Sequence, residues 1–188
     1  MKDYEQVEVI SRSALREWLS KYYEQSESIW LVTYKKHIAD KYVSYDEIVE
    51  EALCFGWIDS VPRKLDSDRT QVLLSPRKPK SVWSKLNKMR VKKLLEERLM
   101  MPSGQRKIDI AKENGMWTFL DDVEALVIPN DLAKQLAKNP TAKENFEAFS
   151  DSSKKGILQW IKMAKKAETR KQRIEKTAAL AAENIKAR

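Results

Sequence analysis

Between Ser44 and Arg90 the chain passes from an acidic, capped helical segment through Cys54-Phe55-Gly56-Trp57 into a strongly basic one, and this passage limits the fold more than any other part of the sequence. Ser44 with Glu47 forms a capping-box pattern ahead of Ile48, Val49, Ala52 and Leu53, whose spacing predicts one buried helix face. Gly56 suits the left-handed residue that ends such a helix. Trp57 to Leu65 and Arg69 to Ser75 read as two strands joined by Asp66-Ser67-Asp68, residue types that hydrogen-bond their own backbone in turns. The consequence is an antiparallel hairpin. Pro62 marks its first strand as an edge or an irregular one, because proline has no N–H to give to a ladder.

Around this passage the pattern predicts an α+β fold. Ser11 or Ser13 caps a helix burying Leu15, Trp18, Leu19, Tyr22 and Tyr23, and Ile29 to Tyr34 reads as a strand. The two prolines stiffen Pro76-Arg77-Lys78-Pro79-Lys80, after which a helix runs from Ser81 or Val82 toward Met101. Its inner face is Val91, Leu94 and Leu95; Lys85, Lys88 and Lys92 share an outer one. Pro102 opens the next helix and Asn114-Gly115 ends it. Met116 to Asn130 reads as a connector, Thr141 with Glu144 as a second capping box, Ile157, Trp160, Ile161 and Ala164 as another helix, and Thr169 as the cap of the last. A small antiparallel sheet with its helices is expected in residues 1–100, and a helical part packed on it in residues 101–188. A chain of 188 residues builds a core without staples, and the single Cys54 allows no internal disulfide.

Charge is unevenly spread. Residues 1–60 hold 7 Lys/Arg against 12 Asp/Glu, residues 61–93 hold 11 against 2, residues 94–153 hold 7 against 11, and residues 154–188 hold 11 against 3. Two blocks therefore carry the net +8. Clustered cations attract anionic partners, although Lys and Arg on helix faces are also ordinary solvated surface. The N-terminal residues show no apolar signal-peptide core, and no apolar run is long enough to span a bilayer, so a cytoplasmic location is expected.

Catalytic chemistry finds few candidates. A Cys-His pair would need Cys54 and His37, the only residues of their kinds, and Cys54 sits among Leu53 and Phe55 where a thiol is usually buried. Metal ligation lacks a His/Cys cluster, the four glycines stand too far apart to cradle phosphate, and no cofactor is expected. What remains is Trp57, Asp59, Arg63, Lys64, Arg69, Arg77, Lys78, Lys80, Trp83 and Lys85. Asp59 pairs with Arg63 or Arg69 in the plain reading. In the functional one it accepts a ligand, or works as an acid or base, in a pocket floored by Trp57 and walled by arginines. Trp83 beside the stiff basic loop suits stacking on a base or sugar, whereas Trp18, Trp30, Trp117 and Trp160 are expected in the core.

ALCFGWIDS, SPRKPKSVWSK, NKMRV, VIPNDLAKQLAKNP and ILQWIKMAKKAETRKQRIEK together resemble the YdeI/OmpD-associated family, also called bacteriocin-protection proteins. This chain departs from that pattern at Ile38 and Lys166. The resemblance implies stress or bacteriocin protection through a protein or envelope partner, and supplies no biochemical activity. Three functions follow: a binding module whose basic residues, Arg63 to Lys93 and Lys162 to Lys176, engage nucleic acid or an acidic protein; a protection protein; or an enzyme or small-anion binder centred on Asp59.

Overall fold

The computed structural model describes residues 4–188, so the first three positions of the expected N-terminal domain lie outside the described residues. The chain forms two compact units that divide after Thr118.

The first unit is a four-stranded sheet with four α-helices. Its elements are β1 (Gln6–Glu8), α1 (Arg12–Tyr22), β2 (Ile29–Tyr34), a short 3-10 turn (Ala39–Lys41), α2 (Tyr45–Phe55), β3 (Trp57–Lys64), β4 (Arg69–Pro76), α3 (Lys85–Glu96) and α4 (Pro102–Glu113). The strand order is β1-β2-β4-β3. β2, β4 and β3 are antiparallel neighbours, as the hairpin reading requires, but β1 pairs parallel to β2 and makes the sheet mixed. A three-residue strand has no periodicity of its own, and only its partner reveals it.

Local signals act as expected around α2. Ser44 and Glu47 exchange hydrogen bonds with each other's backbone, and Gly56 ends the helix at φ 79°. Ser11 caps α1, its hydroxyl accepting from the Ala14 N–H at 3.1 Å. Pro62 lies in the edge strand, where the pairing register shifts between Asp59 and Pro62. The helix after the basic loop starts later than its spacing suggests, because Ser84 supplies the cap and Trp83 is drawn into the core. Leu95, expected inside, is 46% exposed; only Val91 and Leu94 point inward.

The sheet face bearing Ile29, Leu31, Val72 and Leu74 is buried with Leu15, Leu19, Ile48, Val49, Leu53, Val91 and Leu94. Each such side chain contributes roughly 1.5–3 kcal/mol of burial. Glu50 and Glu51 also lie inside, at 6% and 1% exposure. Glu51 accepts from Arg12 Nε at 2.7 Å and Arg16 Nη1 at 2.8 Å, and Glu50 from Lys93 Nζ at 2.7 Å. The tryptophans depart in part from the expected order. Trp57 and Trp83 are fully buried, Trp18 and Trp117 are half-buried and pack against the core, and Trp30 and Trp160 are half-buried.

The second unit is helical: α5 (Asp121–Glu124), α6 (Asn130–Leu136), α7 (Pro140–Ala148), α8 (Asp151–Lys162) and α9 (Ala167–Ala182). Asn139, with Pro140 in the first turn, caps α7 in place of the Thr141 box. Ser150 caps α8, whereas α9 begins after Lys166 and not at Thr169. α9 buries Ile174, Thr177, Ala178 and Ala181. Among the described residues no helix is long and apolar enough to cross a membrane.

Candidate functional site

The hairpin brings fewer of the expected residues together than their sequence proximity suggests. Trp57 is no pocket floor: its indole N–H donates to the Tyr23 carbonyl at 3.1 Å and its ring meets Trp18 edge-on at 5.8 Å. Asp59 pairs with neither Arg63 nor Arg69. It accepts a hydrogen bond from the Tyr45 hydroxyl, and burial together with that bond pushes the phenol up to about 12. The register explains this arrangement. Asp59 sits opposite Leu74, whose side chain faces the helices, whereas the irregularity before Pro62 puts Arg63 opposite Gln71, on the other side of the sheet.

On that other side Arg63 stands 4.8 Å over the Trp30 ring. Arg69 is held by Asp66 and Glu8, each at 2.8 Å. Arg77 is buried at 2% exposure, lies 3.7 Å over the Trp83 ring and gives Nη1 to the Val82 carbonyl at 3.1 Å. Burial drags its guanidinium down to about 10. Trp83 is fully buried, with Arg77 over its ring and the tilted Trp117 ring at 5.0 Å, so it is not presented to a base or sugar. Lys64, Lys78 and Lys80 are exposed, and Lys85 is the exposed first residue of α3.

Part of the basic block is neutralised from within. Arg90 pairs with Asp46, Lys93 with Glu50 and Arg69 with Glu8, so acidic residues before residue 60 serve as counterions to these three cations, while Lys92 pairs with Glu96 on its own helix. The candidate nucleophile is likewise closed off: Cys54 is buried, and burial raises its thiol to about 11. His37 is exposed and its Nε2 lies 3.1 Å from Asp68 Oδ1. Among the described residues no cluster of His, Cys, Asp and Glu is arranged to hold a metal ion.

Two other places gather functional groups. Where β2 ends and β4 begins, beneath the start of α2, a cleft of about 340 Å³ opens between Thr33, Thr70, Val72 and Pro62 on one side and Tyr42, Val43, Tyr45 and Ile48 on the other. Lys35 and Lys36 stand at it. In the second unit, Arg173 and Lys176 lie 5.0 and 5.9 Å from the Trp160 ring centroid, and Arg173 also donates to the Trp160 carbonyl. Among the described residues neither cation is ion-paired to a carboxylate, unlike Lys162 with Asp122 and Arg170 with Asp131. At 3.6 residues per turn Glu168 and Glu175 fall together on another side of α9. Spacing predicts Trp160 in the core, whereas it is half-buried; the sequence signal for its cation-flanked position is the run of lysines closely following it in QWIKMAKK.

No curated protein and no solved structure matches the chain. Residues 125–184 match the family described as Bacteriocin-protection, YdeI or OmpD-Associated, which bears out the resemblance over the helical unit. Residues 7–107, more than half of the chain, match a second model and contain the capped helix, the hairpin and the cleft: by this match the chain belongs to the family described as Domain of unknown function (DUF8412).

Proposed function

We propose that the chain is a non-catalytic binding protein that engages nucleic acid through the basic side of α9 around Trp160. The observation that carries this reading is the pair Arg173 and Lys176, held against an aromatic ring and left without carboxylate partners among the described residues. Lys165 and Lys166, just before α9, are exposed, whereas the exposed Lys171 falls on the side of Glu168 and Glu175. Cations in such a cluster displace the counterions condensed on a phosphate backbone, and a half-buried indole offers a surface for an unstacked base. The basic block of the first unit is less suited, because ion pairs already satisfy four of its cations.

The test is fluorescence anisotropy with a labelled single-stranded oligonucleotide over a salt series. Affinity should fall on a log-log plot by about 0.7 per phosphate neutralised, and the double variant R173A/K176A should weaken binding and flatten that slope by about 1.4. No binding at low salt, or no effect of the double variant, would sink the reading. Tighter binding of polyglutamate than of the oligonucleotide would replace nucleic acid by an acidic protein partner. The family wording at residues 125–184 supports a cellular setting in which loss of the gene sensitises cells to bacteriocin or stress, and unchanged sensitivity of a deletion strain removes that part.

A further inference from the structure

The cleft at the start of α2 belongs to a different unit from the α9 surface and has a chemistry of its own. We propose that it binds a small carboxylate with an apolar body, such as an aromatic or branched-chain acid. Its size, about 340 Å³, lies within the range of small-molecule sites, which are mostly apolar with a few placed polar groups. Val43, Ile48, Pro62 and Val72, with the rings of Tyr42 and Tyr45, supply the apolar body of the site.

The charges that line it are of one sign. Lys35 and Lys36 are the charged residues of the lining, which contains no Asp or Glu. Asp59 reaches the lining through the Tyr45 hydroxyl, which it already accepts from. Lys35 is held in place: its Nζ donates to the Asp66 carbonyl at 2.6 Å and to the Ser67 carbonyl at 2.7 Å, leaving one of three N–H groups to give. Lys36 is exposed and makes no ion pair among the described residues. Two lysines and no carboxylate among the residues lining a largely apolar cleft favour an anion there. The apolar walls select against small hydrated ions, because those gain nothing from losing their water.

The experiment titrates the intact protein with 2-naphthoate and with its neutral counterpart 2-naphthamide, followed by backbone amide chemical shifts. Naphthoate should give saturable shifts at Thr33, Tyr45, Thr70 and Val72, with affinity at least about tenfold above the amide, the size of one charge-assisted contact. Lys36→Gln, an exposed change that leaves the core untouched, should weaken naphthoate about three- to fivefold and leave the amide unaffected. No saturable shift at millimolar naphthoate, equal affinity for both compounds, or shifts elsewhere in the chain would overturn the proposal. Lys36→Gln should leave oligonucleotide affinity unchanged, so this site and the α9 surface fail separately.

Discussion

Gly104 abuts the Cys54 carbonyl oxygen so closely that a Cβ on Gly104 would overlap it, and the same Cβ would come within 2.6 Å of the Leu53 carbonyl oxygen. The neighbours are backbone atoms at the end of α2, which yield only by moving the helix. Gly104→Ala should therefore cost about 2–3 kcal/mol, read as a clear fall in thermal midpoint. Gly156 offers the opposite case, since it lies inside α8 with nothing within 4 Å of its added Cβ. Gly156→Ala should stabilise by about 0.5–1 kcal/mol, and a loss of stability there would contradict the packing described.

Glu51 is almost fully buried and is held by two arginines of α1. Removing it leaves Arg12 and Arg16 partly buried with no counter-charge at those atoms. Glu51→Ala should destabilise by about 3 kcal/mol in urea titration, while Glu17→Ala, at the exposed i,i+4 pair with Lys21, should change nothing measurable.

The Cys54 thiol is raised from 9.0 to about 11 because burial disfavours the thiolate, with the nearby Glu51 carboxylate adding to the effect. A raised folded value means that the native state holds its proton more tightly than the unfolded one. The resulting stability is present below about pH 9 and is lost as pH climbs toward 11, by about 2–3 kcal/mol in all. Cys54→Ala should remove that loss between those pH values. The native thiol should also resist disulfide reagents at pH 8, and rapid labelling would count against its burial.

Tyr45 should be the last of its neighbours to ionise. Spectrophotometric titration is expected to show one phenol near pH 12, later than an ordinary tyrosine at 10.0, and Tyr45→Phe should abolish that step. Asp59→Asn should bring it earlier, because the carboxylate that disfavours a phenolate is gone.

How much of this was legible in the sequence depends on whether the deciding force is local. Ser44, Glu47, Gly56 and the Asp66 turn act through the adjacent backbone, so the helix, its end and the hairpin could be read directly. β1 and the burial of Glu50 and Glu51 depend on partners far along the chain, and their sequence reads as plain acidic surface. Spacing predicts a core place for Trp18, Trp30, Trp117 and Trp160, yet spacing cannot say which apolar face finds the deepest packing. Trp83 packs with Arg77 and Trp117, and Trp160 is half-buried with Arg173 and Lys176 of α9 against its ring. The cleft leaves no trace in the sequence because its lining comes from four separated stretches, none of which carries a motif.

The outer strands of the sheet have a consequence for association. β1 offers only three residues of backbone, and β3 carries Pro62 and a break in register along the opposite border. A strand from another molecule would find no long, regular row of donors and acceptors at either side. Growth of the sheet across molecules is thereby discouraged at both borders of the described sheet.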